Sequence, residues 1–241
     1  MLVGENLTKT VESKTILDNA SLCVTPGTAI AIIGPNGAGK TVLLHALSLI
    51  DPPTEGLVAI DDTEYQFPGA EMSETPWPTV TVVFQQFHLW PHMTLQDNIL
   101  LPMKRNGASR YREGSFDDLV SRFRLTEVLK RYPNEASVGE RQRTALARAL
   151  ICRPKFLLLD EVTSAQDIEH VQNMLTFFRQ LKAEGVALLF VTHLLGFAGQ
   201  LADEILFMDR GSIVERGNRS ILSSPQSDRM KHFVSMMECL H

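Results

Sequence analysis

The chain has 241 residues, 44% hydrophobic and 21% charged, a balance that speaks against a disordered, collagen-like or disulfide-scaffold protein and leaves one large domain or two small ones. Twenty-three Lys and Arg against 28 Asp and Glu give a formal net charge of −5, and a mildly acidic surface argues against broad, sequence-independent binding to nucleic acid or anionic lipid. Cys23, Cys152 and Cys239 are odd in number and widely spaced, so they read as buried or idle thiols of a reducing compartment rather than a disulfide framework or a zinc site.

In chain order, Met1-Leu2-Val3-Gly4-Glu5 has neither the basic nor the apolar region of a signal peptide. Thr28 to Ile33 is an apolar run ending at Gly34, the pattern of a buried strand, and Thr41 to Leu49 reads as a helix stopped before Pro52-Pro53. Gly56 to Ile60 and the segment near Tyr65 read as short strands, Pro76-Trp77-Pro78 as a loop, and Val80 to Phe84 as another strand. From Pro91 to Arg131 the texture turns helical and charged, and Arg141 to Arg153 reads as a helix stopped by Pro154. Lys155 to Leu159 is a strand ending in Asp160-Glu161, Ile168 to Ala183 is helical, and Val186 to Val191 is a buried strand ending in Thr192-His193. The stretch from Val186 to Ala202 is the nearest approach to a membrane span, but it is broken by Thr192, His193, Gly196, Gly199 and Gln200 and falls short of ~18 consecutive apolar residues. Ile205 to Met208 and Ser212 to Glu215 flank Asp209-Arg210-Gly211 as a hairpin. Strands alternating with helices predict an α/β core with a mainly parallel sheet. The helical block is an insertion, which gives a core of residues 1–86 and 153–241 around a helical subdomain of residues 87–152.

Gly34-Pro35-Asn36-Gly37-Ala38-Gly39-Lys40-Thr41 fits the phosphate-loop pattern, between a strand and a helix as that pattern requires. Glycines let backbone amides turn inward around phosphate oxygens, and the following helix N-terminus adds partial positive charge. In such a loop Lys40 bridges the β- and γ-phosphates of a nucleotide and Thr41 gives a hydroxyl to Mg2+. A GTPase would carry an Asn-Lys-x-Asp base reader, and the sequence has none. Instead Phe156-Leu157-Leu158-Leu159 places Asp160 at the end of an apolar strand, beside the metal, and Glu161 next to it is suited to polarise an attacking water. These residues point to nucleotide hydrolysis.

With these elements in hand the chain resembles an ATP-binding-cassette (ABC) ATPase along nearly its whole length. Ser137-Val138-Gly139-Glu140-Arg141-Gln142-Arg143 resembles the family's signature, Gln85 its Q-loop glutamine, Ser164-Ala165-Gln166-Asp167 its D-loop, and His193 its switch histidine. The resemblance implies a P-loop core with a mainly parallel sheet, an antiparallel β-subdomain and an inserted helical subdomain. It implies that two cassettes pair head to tail, that Ser137, Val138, Gly139 and Glu140 meet nucleotide held by the partner's phosphate loop, and that Asp167 belongs to the D-loop. Glu161 and His193 are the expected catalytic groups, and Thr41, Gln85 and Asp160 the expected surroundings of the metal. The cofactors expected are ATP and Mg2+.

The sequence departs from the family pattern at several positions. The usual Leu-Ser-Gly-Gly-Gln reads Ala136-Ser137-Val138-Gly139-Glu140, so a valine replaces a glycine and a carboxylate an amide. Ser137 and Glu140 still have capping-box spacing, so Glu140 is expected to cap the helix. Where the family often stacks an aromatic on adenine, the aligned residue is Val11, and Val162 and Gln166 are milder changes. These departures suggest a working but weakened ATPase, and the alternative is a cassette that binds ATP with little hydrolysis and serves as a regulatory or structural partner.

Phe84-Gln85-Gln86-Phe87-His88-Leu89-Trp90-Pro91-His92-Met93-Thr94, Thr192 to Ala198 and Ser224 to Arg229 are similar to stretches of bacterial polar-amino-acid importers, although Leu194 stands where that subgroup usually has Glu. The subgroup implies an energising subunit at the cytoplasmic face of the cell membrane, with a second ATPase copy, integral membrane permease subunits and, indirectly, a solute-binding protein as partners, and no nucleic acid. Phe87, Leu89 and Trp90 are expected to face the permease, and Pro91 breaks any metal-binding register between His88 and His92.

Overall fold

The chain opens with two long antiparallel strands, β1 (Leu2–Val11) and β2 (Lys14–Val24), in a computed structural model that describes residues 1–71, 75–104, 115–162 and 168–238. The sequence reading names no strand here because the alternation is interrupted: the β1–β2 register shifts between Gly4 and Leu7, Leu7 and Lys9, and Lys9 and Thr10. Each shift disturbs which face the next side chain takes, and so hides the period of two. Strand β3 (Ala29–Ile33) leads into helix α1 (Lys40–Leu47), and β4 (Glu55–Ile60) and β5 (Thr63–Phe67) return to complete an antiparallel sheet in the order β2-β1-β4-β5.

The second sheet is built from β3 with β6 (Val80–Val83), β7 (Phe156–Asp160), β8 (Ala187–Val191), β9 (Glu204–Asp209) and β10 (Ser212–Gly217), in the order β10-β9-β3-β8-β7-β6. All its neighbours are parallel except β9 and β10, which form the expected hairpin. Between β6 and β7 lie α2 (Leu95–Leu100), α3 (Ser115–Arg122) and α4 (Val138–Leu150). Helices α5 (Ile168–Ala183), α6 (Leu195–Leu201), α7 (Ser220–Ser223) and α8 (Asp228–Glu238) complete the chain. Among the described residues no helix is long and apolar enough to cross a membrane.

Helix α4 begins three residues earlier than the sequence reading placed it, and ends three earlier. Ser137 accepts from the Glu140 amide while the Glu140 carboxylate accepts from the Ser137 amide, a reciprocal cap that fixes the start. Past the end, Arg153 has a φ of 47°, which no helix continues, and it precedes Pro154, which disfavours the helical conformation before it.

Alternate residues of the parallel strands enter two different cores. Ile30, Ile32, Leu158, Leu189 and Leu206 pack with α1 and the antiparallel sheet. Ala31, Ile33, Leu157, Leu159, Leu188 and Phe190 pack with residues of α4, α5, α6 and α8 on the other face. A sheet covered on both faces needs near-continuous apolar strands, as Ala29-Ile30-Ala31-Ile32-Ile33 and Phe156-Leu157-Leu158-Leu159 are. Burying each Leu, Ile or Phe contributes about 1.5–3 kcal/mol, so the sheet is anchored firmly enough to hold charged groups at its ends.

Candidate functional site

The parallel register assembles the site. Asp160 pairs with Val191 and Val83 with Leu159, so β6, β7 and β8 end level with one another. Gln85, Asp160-Glu161 and His193 therefore leave neighbouring strands at the same edge. The phosphate loop leaves β3, the next strand over, at the same end. Carboxyl ends of parallel strands are where open α/β sheets place ligands.

Two of the loop's glycines are required by close packing. Gly34 has a φ of 148°, and a Cβ there would lie 2.1 Å from the Met208 carbonyl oxygen. Gly39, at the N-cap of α1 with a φ of 97°, would put a Cβ 2.8 Å from the Ile16 carbonyl oxygen. The Gly211 amide donates to the Ala38 carbonyl at 2.9 Å, so the β9–β10 hairpin buttresses the loop from behind. Met208, Ile16 and Gly211 carry no motif; the hairpin pattern includes Met208 and Gly211, but nothing in the sequence shows that they pack against the phosphate loop.

Lys40 is buried, and its Nζ donates to the carbonyls of Gly34 and Pro35, both at 2.9 Å. Burial holds its pKa below the ordinary lysine value, against the opposing pull of Glu161 and Asp160. The Thr41 hydroxyl donates to Asp160 Oδ1 at 3.2 Å. Burial pushes the Asp160 carboxyl above the ordinary range; the Thr41 hydrogen bond opposes this and the neighbouring Glu161 charge adds to it. A hydroxyl beside a carboxylate, with a glutamine one strand away, is a donor set of hard oxygens suited to Mg2+.

Glu161 takes a left-handed φ of 49°, while its amide donates to the Val191 carbonyl at 3.2 Å. Its two carboxylate oxygens are shared: Oε1 lies 2.6 Å from His193 Nε2, and Oε2 accepts from Gln85 Nε2 at 3.1 Å. A non-glycine residue in this conformation costs about 1–3 kcal/mol and persists when its surroundings hold it, a pattern that clusters at active sites.

The remaining expected residues stand apart from this cluster. Val11 is half exposed at the β1–β2 turn. Ser137, Val138, Gly139 and Glu140 form the N-terminus of α4, with Val138 half exposed. Among the described residues no hydrogen bond or ion pair joins Val11 or these four to the phosphate loop. The carboxyl of Glu140 is held below its ordinary range by the Ser137 backbone amide first, then by the Ser137 hydroxyl and the nearby Arg131 and Arg143 charges. Asp167 lies outside the described residues. Phe87 and Leu89 are partly buried against the core, whereas Trp90 is exposed. A groove of about 470 Å³ opens on this side of β6 and α4, lined by Ile50, Trp77, Phe84, Pro102 and Arg148 among others, and none of Phe87, Leu89 and Trp90 lines it.

Two residues that hold the glutamine loop escaped the sequence reading. Asn98 is fully buried; its side chain accepts from the Trp90 amide at 2.7 Å and donates to the carbonyls of Trp90, Met93 and Thr94. Arg148 donates to the carbonyls of Phe87 and His88. Both sit on amphipathic helices, where an Asn or Arg gives no local sign that it faces inward.

Phosphate loop, strand-end Asp-Glu pair, flanking glutamine and histidine, and the capped helix α4 together have the arrangement of an ATP-hydrolysing cassette. The comparisons with known proteins agree. The family model described as ABC transporter matches residues 17–164. The arginine transport ATP-binding protein ArtM of Bacillus subtilis is 38% identical over 238 residues, covering 97% of this chain and 98% of that protein. The glutamine transport ATP-binding protein GlnQ of Escherichia coli is 35% identical over 237 residues, with 97% and 98% covered. Among solved structures, the dimeric post-hydrolysis state of the ATP-binding cassette MJ0796 bound to ADP and Pi superposes with a TM-score of 0.80 at 28% identity, covering 91% of this chain and 99% of that one. The chain belongs to the ABC transporter family, as an ATP-binding, ATP-hydrolysing subunit.

Proposed function

We propose that this chain hydrolyses ATP to energise uptake of a polar amino acid through a membrane permease. The observation that carries the reading is the end-to-end similarity to amino-acid transport ATP-binding proteins, over 97% of the chain for ArtM and GlnQ. The intact contact between Glu161 and His193 supports hydrolysis over a merely nucleotide-binding, regulatory role.

In this reading Gly34, Pro35, Asn36, Gly37, Ala38 and Gly39 wrap the phosphates with backbone amides, Lys40 bridges the β- and γ-phosphates, and Val11 lies against the adenine. Mg2+, when bound with the nucleotide, neutralises charge on the phosphate oxygens, and Thr41, Asp160 and Gln85 are the residues that would hold it. Glu161 polarises the attacking water and takes its proton. His193 orients that carboxylate and contacts the γ-phosphate. The cassette pairs with a second copy of itself, so that Ser137 to Glu140 of each meets nucleotide on the other. Residues 1–86 and 153–241 act as the nucleotide-binding core and 87–152 as the helical subdomain. Exposed Trp90 faces the permease at the cytoplasmic side of the membrane; a solute-binding protein acts indirectly, and nucleic acid has no part.

Uptake of labelled arginine, glutamine, glutamate and cystine by cells lacking the gene tests this. Wild-type chain restores uptake of at least one of them and Lys40→Ala does not. Unchanged uptake of all four on deletion would overturn the transport reading.

A further inference from the structure

The helix that carries the signature also grips both loops of the hydrolysis site. Gln142, fully buried in α4, donates its side-chain amide to the carbonyl of Val162, one residue beyond Glu161, and reaches Met174 Sδ of α5 at 3.2 Å. Six residues on, or ~9 Å along the helix axis, Arg148 divides its guanidinium between two carbonyls of the glutamine loop: Nη2 to Phe87 at 2.6 Å and Nη1 to His88 at 2.8 Å. The two loops then meet at the Gln85–Glu161 hydrogen bond of 3.1 Å. Helix, Val162–Glu161, Gln85 and Phe87–His88 thus form a closed circuit of contacts.

The glutamine loop needs this grip. Phe87 and His88 are consecutive non-glycine residues with φ of 50° and 43°, each costing about 1–3 kcal/mol unless the surroundings fix it. A planar guanidinium with forked donors matches two adjacent carbonyls in a way that a lysine ammonium does not. On its other side the loop rests on α1, through ring contacts of Phe84 with His88 at 5.1 Å and with His45 at 5.6 Å. A shift of α4 relative to α1 therefore acts on the loop from one side only.

We propose that Gln142 and Arg148 are paired positioning residues, which set the Gln85–Glu161 hydrogen bond, and with it the rate of hydrolysis, from the orientation of α4. The proposal rests on the hydrolytic reading of Glu161. Neither residue touches nucleotide in it; both act through the loops they hold.

The test uses the purified full-length chain. Arg148→Lys keeps the charge and loses the fork, and it should lower kcat for MgATP about tenfold while leaving KM within about twofold, the pattern of a lost transition-state arrangement. Gln142→Met, which keeps the volume and loses the donor, should do the same. In a Gln85→Ala background Arg148→Lys should cost less than about twofold, because its effect passes through Gln85. Undiminished kcat in Arg148→Lys, or the full loss repeated in the Gln85→Ala background, would overturn the proposal. Hydrogen–deuterium exchange decides the same question without turnover: Arg148→Lys should speed exchange of the amides of 85–90 and leave those of β3 unchanged, and identical exchange in both proteins would overturn the grip. Wild-type turnover no faster than that of Lys40→Ala would instead defeat the hydrolytic reading and leave the exchange result standing.

Discussion

Glu161 and His193 leave adjacent parallel strands and meet with carboxylate oxygen and imidazole nitrogen 2.6 Å apart. The spacing follows from the register: Asp160 lies opposite Val191, so the residue after one and the second residue after the other face each other across the strand ends. If the two act as a unit, their losses do not add. Glu161→Gln should lower ATP turnover by about a hundredfold or more with nucleotide affinity retained, His193→Ala by less, and the double variant little below Glu161→Gln alone. Phosphate release by the four proteins at saturating MgATP checks this, and additive losses would separate the two roles.

Asp160 is predicted to trade stability for function. Its carboxyl is raised by burial, so the ionised form at neutral pH costs folding free energy, and the cost disappears as pH falls through the raised value. Asp160→Asn still accepts from Thr41, and Glu161 remains to offset the Lys40 charge. The variant should melt higher than wild type without nucleotide, by about 2–4 °C for each kcal/mol gained, while MgATP stabilises it little and turnover is lost. Calorimetry with and without MgATP reads both effects, and a lower melting point would contradict the buried-charge account.

The signature carboxylate has two separable effects. Because Glu140 is held below its ordinary range by the Ser137 amide, its contribution to stability is complete at neutral pH and fades as pH falls through that depressed value. Glu140→Ala should lose the cap, about 0.5–2 kcal/mol. Glu140→Gln can keep it, should show less acid destabilisation, and, under the proposed pairing with a second cassette, should raise turnover by removing a negative charge that would face the partner's nucleotide. Melting points across acid and neutral pH, with turnover at neutral pH, distinguish the three proteins.

The segment from Trp90 to Thr94 depends on one side chain. Asn98→Ala should destabilise the chain by about 1–3 kcal/mol, since it strands buried amide and carbonyl groups. Tryptophan emission during urea unfolding reports it directly, because Trp90 is one of only two tryptophans and the Asn98 side chain holds both its amide and its carbonyl. Unfolding at the wild-type urea midpoint would contradict the assignment.

The site was legible in the sequence wherever an apolar run ended in polar residues. Ile33 before Gly34, Leu159 before Asp160 and Val191 before Thr192-His193 mark strand ends, and fully buried parallel strands are continuous enough in hydrophobicity to be seen. The β1–β2 pair was not legible because its bulges scramble the alternation. The Ser137–Glu140 cap was legible from spacing, yet the helix reading began at Arg141 although that cap sets the start at Val138. Gln142, Arg148 and Asn98 could not be read as functional, since what gives them meaning is backbone carbonyls brought to them by other parts of the chain. The family resemblance supplied what local chemistry did not, above all the trans role expected of residues 137–140.

The central claim is that hydrolysis at Glu161 energises movement of a polar amino acid. The most direct measurement couples the two: phosphate release and labelled amino-acid uptake recorded together in proteoliposomes containing the chain with the proposed permease and solute-binding protein. Wild type should release phosphate and accumulate solute only with MgATP, and Glu161→Gln should do neither. Solute accumulation that continues in Glu161→Gln, or phosphate release by wild type with no accumulation of any polar amino acid, would contradict the account.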